Sequence, residues 1–267
     1  LKEPAVLEQQ VRRMLAQPRA RNTLAESFAG QWLGLRRLRN ASPDPSVFPE
    51  FDENLRVAMQ RETQLFLETQ LREDRPLVEL VTANYSFLNE RLAQHYGIPN
   101  IYGNHFRRVM WPDDRRAGLL GQASILTLTS YANRTSPVSR GKWVLENLLG
   151  VPPPEPPPNV PDLKARAEGE PPTSMRALME QHRSNPVCAS CHRMMDPLGF
   201  ALENFDATGR WRTTEDTGVA GELGPTIDPS GVTPDGSEFD GANGLRQILA
   251  SRNEFIGTVT ERLVTYA

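Results

Sequence analysis

The segment VPPPEPPPNVPD, residues 151–162, restricts this chain more than any other stretch. Proline has a fixed φ and no N–H to donate, so such a run can join neither a helix interior nor a central strand. It favours extended polyproline II and reads as a semi-rigid spacer, in preference to a ligand for a peptide-binding domain. The spacer therefore marks a domain boundary, with a second small domain beyond it over 163–267. At 267 residues the chain is long enough for such a division to leave each part a core.

Before the spacer the pattern is helical. Val6, Leu7, Val11, Met14 and Leu15 recur at helix spacing, and Leu24, Phe28, Trp32 and Leu35 continue it. Leu55, Met59, Thr63, Phe66 and Gln70 then mark one face of a long helix. In SFLNERLAQHYG, Ser86 stands as a helix N-cap and Gly97 as the terminator. RRAGLLGQASILTLTS reads as a buried helix or an apolar helix followed by a turn, and Ser136-Pro137 opens a further helix that Gly150 ends. Beyond the spacer, TSMRALMEQHR is helical, Pro186 is placed to start another helix, and Asp235-Gly236 signals a hairpin. Two short helices close the sequence. The chain opens and stops within helical patterns, as a piece excised from a longer protein would.

The chemistry concentrates in PVCASCHRMMDPLGFALENFDATGRWR, residues 186–212, which holds both cysteines of the chain. Cys188 and Cys191 lie three apart, so on a helical turn both thiols face one way. His192 follows at once. Cys-x-x-Cys-His is the attachment pattern of haem c: the thiols join the two vinyl groups along one edge of the porphyrin, and the imidazole becomes the proximal iron ligand. The competing readings are weaker. A structural zinc site wants four ligands, and His95, His105 and His182 form no pair at short spacing. A thioredoxin-like dithiol wants a βαβ context, and a plain disulfide has no use for His192.

These residues, with NYSFLNERLAQHYGI, FAGQWLGLRRL and RAGLLGQASILTLTSYANRTSPVSRGKWVLENLLGVPPPEPPP, resemble the planctomycete-type c cytochromes, large exported multidomain proteins whose modules were long catalogued as domains of unknown function. The resemblance covers nearly the whole chain. It implies a helical module over 1–110, a short connecting module over 111–162 that ends in the spacer, and a haem module over 163–267 that continues past residue 267. The fold expected is mainly α: a helical N-terminal module and a small cytochrome c-like haem domain with a β-hairpin excursion. It also implies that a Tyr-Asp-Met-Pro-like segment beyond the last helix supplies the distal methionine; this sequence has no such segment, and the distal ligand stays open. Met194 and Met195 follow His192 too closely to reach the other face of a porphyrin and read as packing residues. His182 reads as a helix C-terminal dipole partner, and His95 and His105 as surface or core histidines.

For the haem propionates the best candidates are Arg212 and Trp211, then Arg140 and Arg210, because guanidinium and indole N–H groups suit carboxylates. Their alternative roles are surface salt bridging for the arginines and core packing for Trp211. Asp196-Pro197-Leu198-Gly199 reads as a turn out of the haem helix that brings FALENF back as a second short helix. The loop DPSGVTPDGSEFDG lacks the residue order of an EF-hand and reads as a hairpin with solvated acids. The arginine pairs at 36–37, 107–108 and 115–116 read as surface ion pairs.

Net charge is -3 and charged residues make up 24% of the chain, which gives no bias toward nucleic acid or a membrane surface. No apolar run approaches the roughly 20 residues of a membrane helix. The expectation is an exported, periplasmic or otherwise extracytoplasmic cytochrome with one covalent haem c. It would move single electrons to redox partner proteins, as a domain or subunit of a larger assembly. The alternative is a haem-dependent peroxidase or oxidoreductase acting outside the cytoplasm.

Overall fold

The computed structural model describes residues 3–17, 23–154, 173–217 and 222–266. Only residues 151–154 of the proline-rich segment are among them. The fold is mainly α with two small antiparallel sheets.

Helix α1 (Pro4–Leu15) forms where the spacing predicts it, with a proline in its first turn, yet none of its residues is buried. A π-helical turn (Thr23–Phe28) and the short α2 (Ala29–Trp32) follow, and Ala25, Phe28 and Trp32 enter the core. Helix α3 (Glu53–Arg72) starts at Asp52, whose side chain accepts the Leu55 N–H at 2.7 Å. Its predicted stripe is buried from end to end, Leu55, Met59, Thr63, Phe66 and Gln70 all lying inside.

After the short α4 (Glu79–Thr82), the chain forms β1 (Tyr85–Leu88) in place of a helix cap at Ser86. All four β1 residues are buried, and they pair with β2 (Arg107–Met110) from Tyr85 opposite Met110 to Leu88 opposite Arg107. The cap of α5 (Glu90–Tyr96) is Asn89, three residues later than expected; it accepts the Leu92 N–H at 3.0 Å. Gly97 does end α5, at φ +70°, a conformation that suits glycine. Ser86 is used otherwise: its hydroxyl donates to the buried Glu62 carboxyl at 2.7 Å.

Leu119–Gly121 forms one 3-10 turn, and α6 (Ala123–Leu128) is the buried helix read from the apolar run. Helix α7 (Pro137–Asn147) has Ser136 as its cap and Pro137 in its first turn, as its sequence signal implies. Helices α8 (Met175–His182) and α9 (Pro186–Phe200) follow. Strands β3 (Ser230–Val232) and β4 (Glu238–Asp240) make the expected hairpin, with Gly236 at φ +86° in its turn. Helices α10 (Gly241–Ser251) and α11 (Asn253–Tyr266) complete the described chain. Among the described residues no helix is long and apolar enough to cross a membrane.

One apolar cluster joins the regions on either side of residues 155–172. Trp32, Phe66 and Tyr85 share it with Val144 and Leu148, and with Leu198, Leu202, Phe205, Leu245 and Phe255. Beside it a buried polar set forms around Glu62, which accepts from Ser86 and, at 2.6 Å, from Tyr96. Arg116 departs from the expected surface pairing. It is 4% exposed, its guanidinium lies 4.0 Å from the centre of the Tyr96 ring, and it donates to the carbonyls of Gly121 and Gly209. Arg108 and Arg115 do form ion pairs, with Glu73 and Asp113.

Candidate functional site

Helix α9 carries both cysteines and His192, and its position is set by α7. The two helices cross with almost no space between backbones: a Cβ on Gly141 of α7 would stand 1.9 Å from the Met195 carbonyl oxygen, and one on Gly199 of α9 1.9 Å from the Pro137 carbonyl oxygen. Each helix therefore supplies a glycine where the other's backbone comes closest. Met195 and Leu198 fill the same contact from α9.

This crossing explains a departure from the sequence reading. The run Asp196-Pro197-Leu198-Gly199 does not turn the chain; α9 continues through it to Phe200, with Pro197 inside the helix. Pro197 cannot make the N–H bond to the preceding turn, but Gly199 must be helical to seat against Pro137. Tertiary contact outweighs the local turn signal. The chain turns instead over residues 201–204, so FALENF is not a second helix. Its Leu202 and Phe205 enter the core, and Phe200 lies under the Arg176 guanidinium at 4.2 Å.

At the other end of α9, Pro186 occupies the first helical position, where a missing N–H costs nothing. Cys188 and Cys191 are free thiols, each partly exposed. His192, one residue on, is mostly buried, with 14% of its side chain exposed. Its Nδ1 lies 2.9 Å from Oδ1 of Asp196, one turn along the helix and fully buried. With Asp196 as the acceptor, Nδ1 donates its hydrogen and Nε2 keeps the free lone pair. The second oxygen of Asp196 has no hydrogen-bond partner; the nearest charge is Nε of Arg183 at 3.6 Å, from the turn between α8 and α9. His182, at the end of α8, sets its ring edge-on to that of His192, with centroids 5.1 Å apart. His182 also keeps the place read for it, in the last turn of α8.

Two thiols on one side of a helical turn, followed by an imidazole whose Nδ1 is already taken, match the donor set that covalent haem c requires. Among the described residues no group of three or more histidine, cysteine or acidic side chains is arranged to hold a bare metal ion. The sequence reading did not single out Asp196 as the partner of His192; the signal for it is its place four residues later, the spacing that faces side chains together on a helix.

The proposed propionate residues brace the turn after α9. Arg140 is 1% exposed and donates to the carbonyls of Leu202, Phe205 and Asp206 and to Glu203 at 2.9 Å. Arg212 donates to the Glu203 carbonyl at 3.0 Å, and to Thr135 and the Glu203 carboxylate at 3.2 Å. Trp211 meets Phe205 edge-on at 5.2 Å, with Arg115 over its ring. Arg210 pairs with Glu50 at 2.8 Å. His95 is buried, with Nε2 2.7 Å from the Thr208 carbonyl, while His105 is exposed. Arg210 makes the surface salt bridge weighed for it and Trp211 packs on Phe205, whereas Arg140 is buried and bonds mainly to backbone carbonyls.

A groove of about 820 Å³ lies on another side of α9, lined by Arg176, Arg183, Arg193, Pro197 and Phe200 and by the β3–β4 hairpin. At 100° per residue, the Arg193, Pro197 and Phe200 face points nearly opposite to Cys188 and Cys191. The groove is therefore behind the cysteine pair.

The class this geometry defines is a mainly α protein that presents a Cys-x-x-Cys-His turn from a helix locked by close packing. Residues 116–215, which contain that turn, are similar to the family described as PSCyt3, protein of unknown function (DUF1588). Residues 1–98 are similar to the family described as PSD4, protein of unknown function (DUF1592). No curated protein and no solved structure matches the chain.

Proposed function

We propose that this chain is part of a planctomycete-type c cytochrome, holding one haem c through Cys188 and Cys191 with His192 as iron ligand, and that it serves one-electron transfer outside the cytoplasm. The observation that carries this reading is the placement of two thiols on one helical turn beside an imidazole whose Nδ1 is fixed on a buried carboxylate. Haem, when bound, supplies the ferric–ferrous couple.

The protein's own part is positioning. Asp196 holds the His192 ring in one orientation and one tautomer. The α7–α9 crossing fixes the helix beneath it, so that ring has little freedom to reorganise as charge changes. His182, edge-on to His192, packs against the same ring and limits how it can turn. Haem attachment takes place in the oxidising space beyond the bacterial inner membrane, which assigns the protein to the periplasm or its equivalent, with redox proteins or subunits of a larger assembly as partners.

The test is the absorption spectrum of the haem-loaded protein, oxidised and reduced, with and without carbon monoxide. An electron carrier gives sharp low-spin bands on reduction that the gas does not move. A high-spin spectrum that shifts with carbon monoxide, together with turnover of peroxide, would replace this reading with a peroxidase.

A further inference from the structure

We propose that Asp196 and Arg183 form a charge pair behind His192 that sets how strongly the imidazole donates to iron, and hence the reduction potential of the site. The inference rests on the haem reading above and deepens it.

Asp196 is an expensive residue at its position. It is fully buried on a helix interior, and a buried carboxylate costs several kcal/mol unless its oxygens are satisfied. One oxygen accepts from His192 Nδ1; the other has no hydrogen bond at all. Packing alone would be served better by an apolar residue. What an acid supplies there, and an amide or an alkyl group does not, is negative charge on the ring hydrogen of a metal-ligating histidine. Such a partner raises the basicity of the other ring nitrogen. A more basic ligand favours the ferric state, so the carboxylate draws the potential down.

Arg183 works in the opposite sense. Its Nε stands 3.6 Å from the free oxygen of Asp196, too far for a hydrogen bond but close enough to withdraw part of its charge. Arg183 is also 3.7 Å from Glu180, so Asp196 does not have its undivided charge. The carboxylate is therefore left partly compensated, its strength as an acceptor set by a residue on the α8–α9 turn. That turn also carries His182, so a shift of α8 would alter the pair and the imidazole contact together.

The experiment uses the full haem-loaded chain and three variants. Asp196→Asn keeps the shape and removes the charge, and the midpoint potential shifts positive. Arg183→Gln removes the compensation, and the potential shifts negative, by more than in Arg193→Gln, a control that deletes a like charge elsewhere on α9. A loss of packing alone would move Asp196→Asn and Arg183→Gln in the same direction, and that result, or an unchanged potential in Asp196→Asn, overturns the proposal. Should Asp196→Asn fail to load haem, the sign of the Arg183→Gln shift still decides. Mass spectrometry on the wild type reports the haem reading separately. Nitrogen NMR of His192 in haem-free protein reports the positioning alone: the wild type shows the hydrogen on Nδ1, Asp196→Asn a mixture of tautomers, and no difference between them counts against Asp196.

Discussion

The two ends of helix α9 are built on different principles. From Met195 onward the helix is held by the protein itself: Met195, Leu198 and Phe200 are buried, and two glycines bring its backbone against α7. The first turns are held less: Ala189 is buried and Cys191 touches the core, but Pro186, Ser190 and Arg193 are exposed and both cysteines partly so. His192 sits at the junction and is tied to the anchored end through Asp196. The difference teaches where the precision of the site comes from. The His192 ring is oriented by the packed half, through Asp196, while the half that carries the thiols is less constrained.

That contrast can be broken most severely at Arg140, whose guanidinium holds three carbonyls and Glu203 at the anchored end. Arg140→Met should cost about 4 kcal/mol, the scale for breaking a buried ion pair. Urea unfolding measures it, and a loss below about 1 kcal/mol would show that the turn after α9 is not the anchor. Gly199→Ala comes next. Its methyl group would fall 1.9 Å from the Pro137 carbonyl oxygen, so the helices must part, at about 3 kcal/mol. The same change should widen the spread of His192 environments seen by NMR, because the ring is tied to this end of α9.

A smaller effect is written in pH. Burial raises the pKa of Glu62 from 4.5 to about 7, so between those values the folded chain holds a proton that the unfolded chain has lost, and stability falls as pH rises. Burial lowers His95 from 6.5 to about 4, so there the unfolded chain holds the extra proton, and stability falls as pH drops. The two oppose each other between 4.5 and 6.5. Glu62→Gln leaves His95 alone, and its urea midpoint should fall as pH is lowered through that window, with a steeper slope than the wild type. Equal slopes would mean Glu62 does not titrate there. The smallest effect belongs to the loosely held end: replacing Cys188 and Cys191 together by serine should change the stability of haem-free protein by no more than about 0.5 kcal/mol. A large loss would place the cysteines in the packed core instead.

Much of this was legible in the sequence where the signal is local. The stripe on α3, the Ser136-Pro137 start of α7, Gly97 and the Asp235-Gly236 hairpin all rest on backbone chemistry that distant residues do not override. The cysteine pair on a helix begun by Pro186 was legible for the same reason. What failed had a tertiary cause. Ser86 looks like a helix cap, but Arg107–Met110 pairs with its segment and draws it into a strand. Asp196-Pro197 looks like a turn, but α7 holds Gly199 in the helix. Arg116 has an acidic neighbour in sequence, yet Tyr96 and two carbonyls draw it inside. The contact of His182 with His192 depends on how α8 meets α9, which spacing alone does not give.

The most direct measurement is the intact mass of the full-length protein exported from a bacterium with active haem attachment. The account predicts one added haem, retained under denaturing conditions and lost when Cys188 and Cys191 are both replaced. A protein that arrives outside the cytoplasm folded, with both thiols free and no haem, would contradict it.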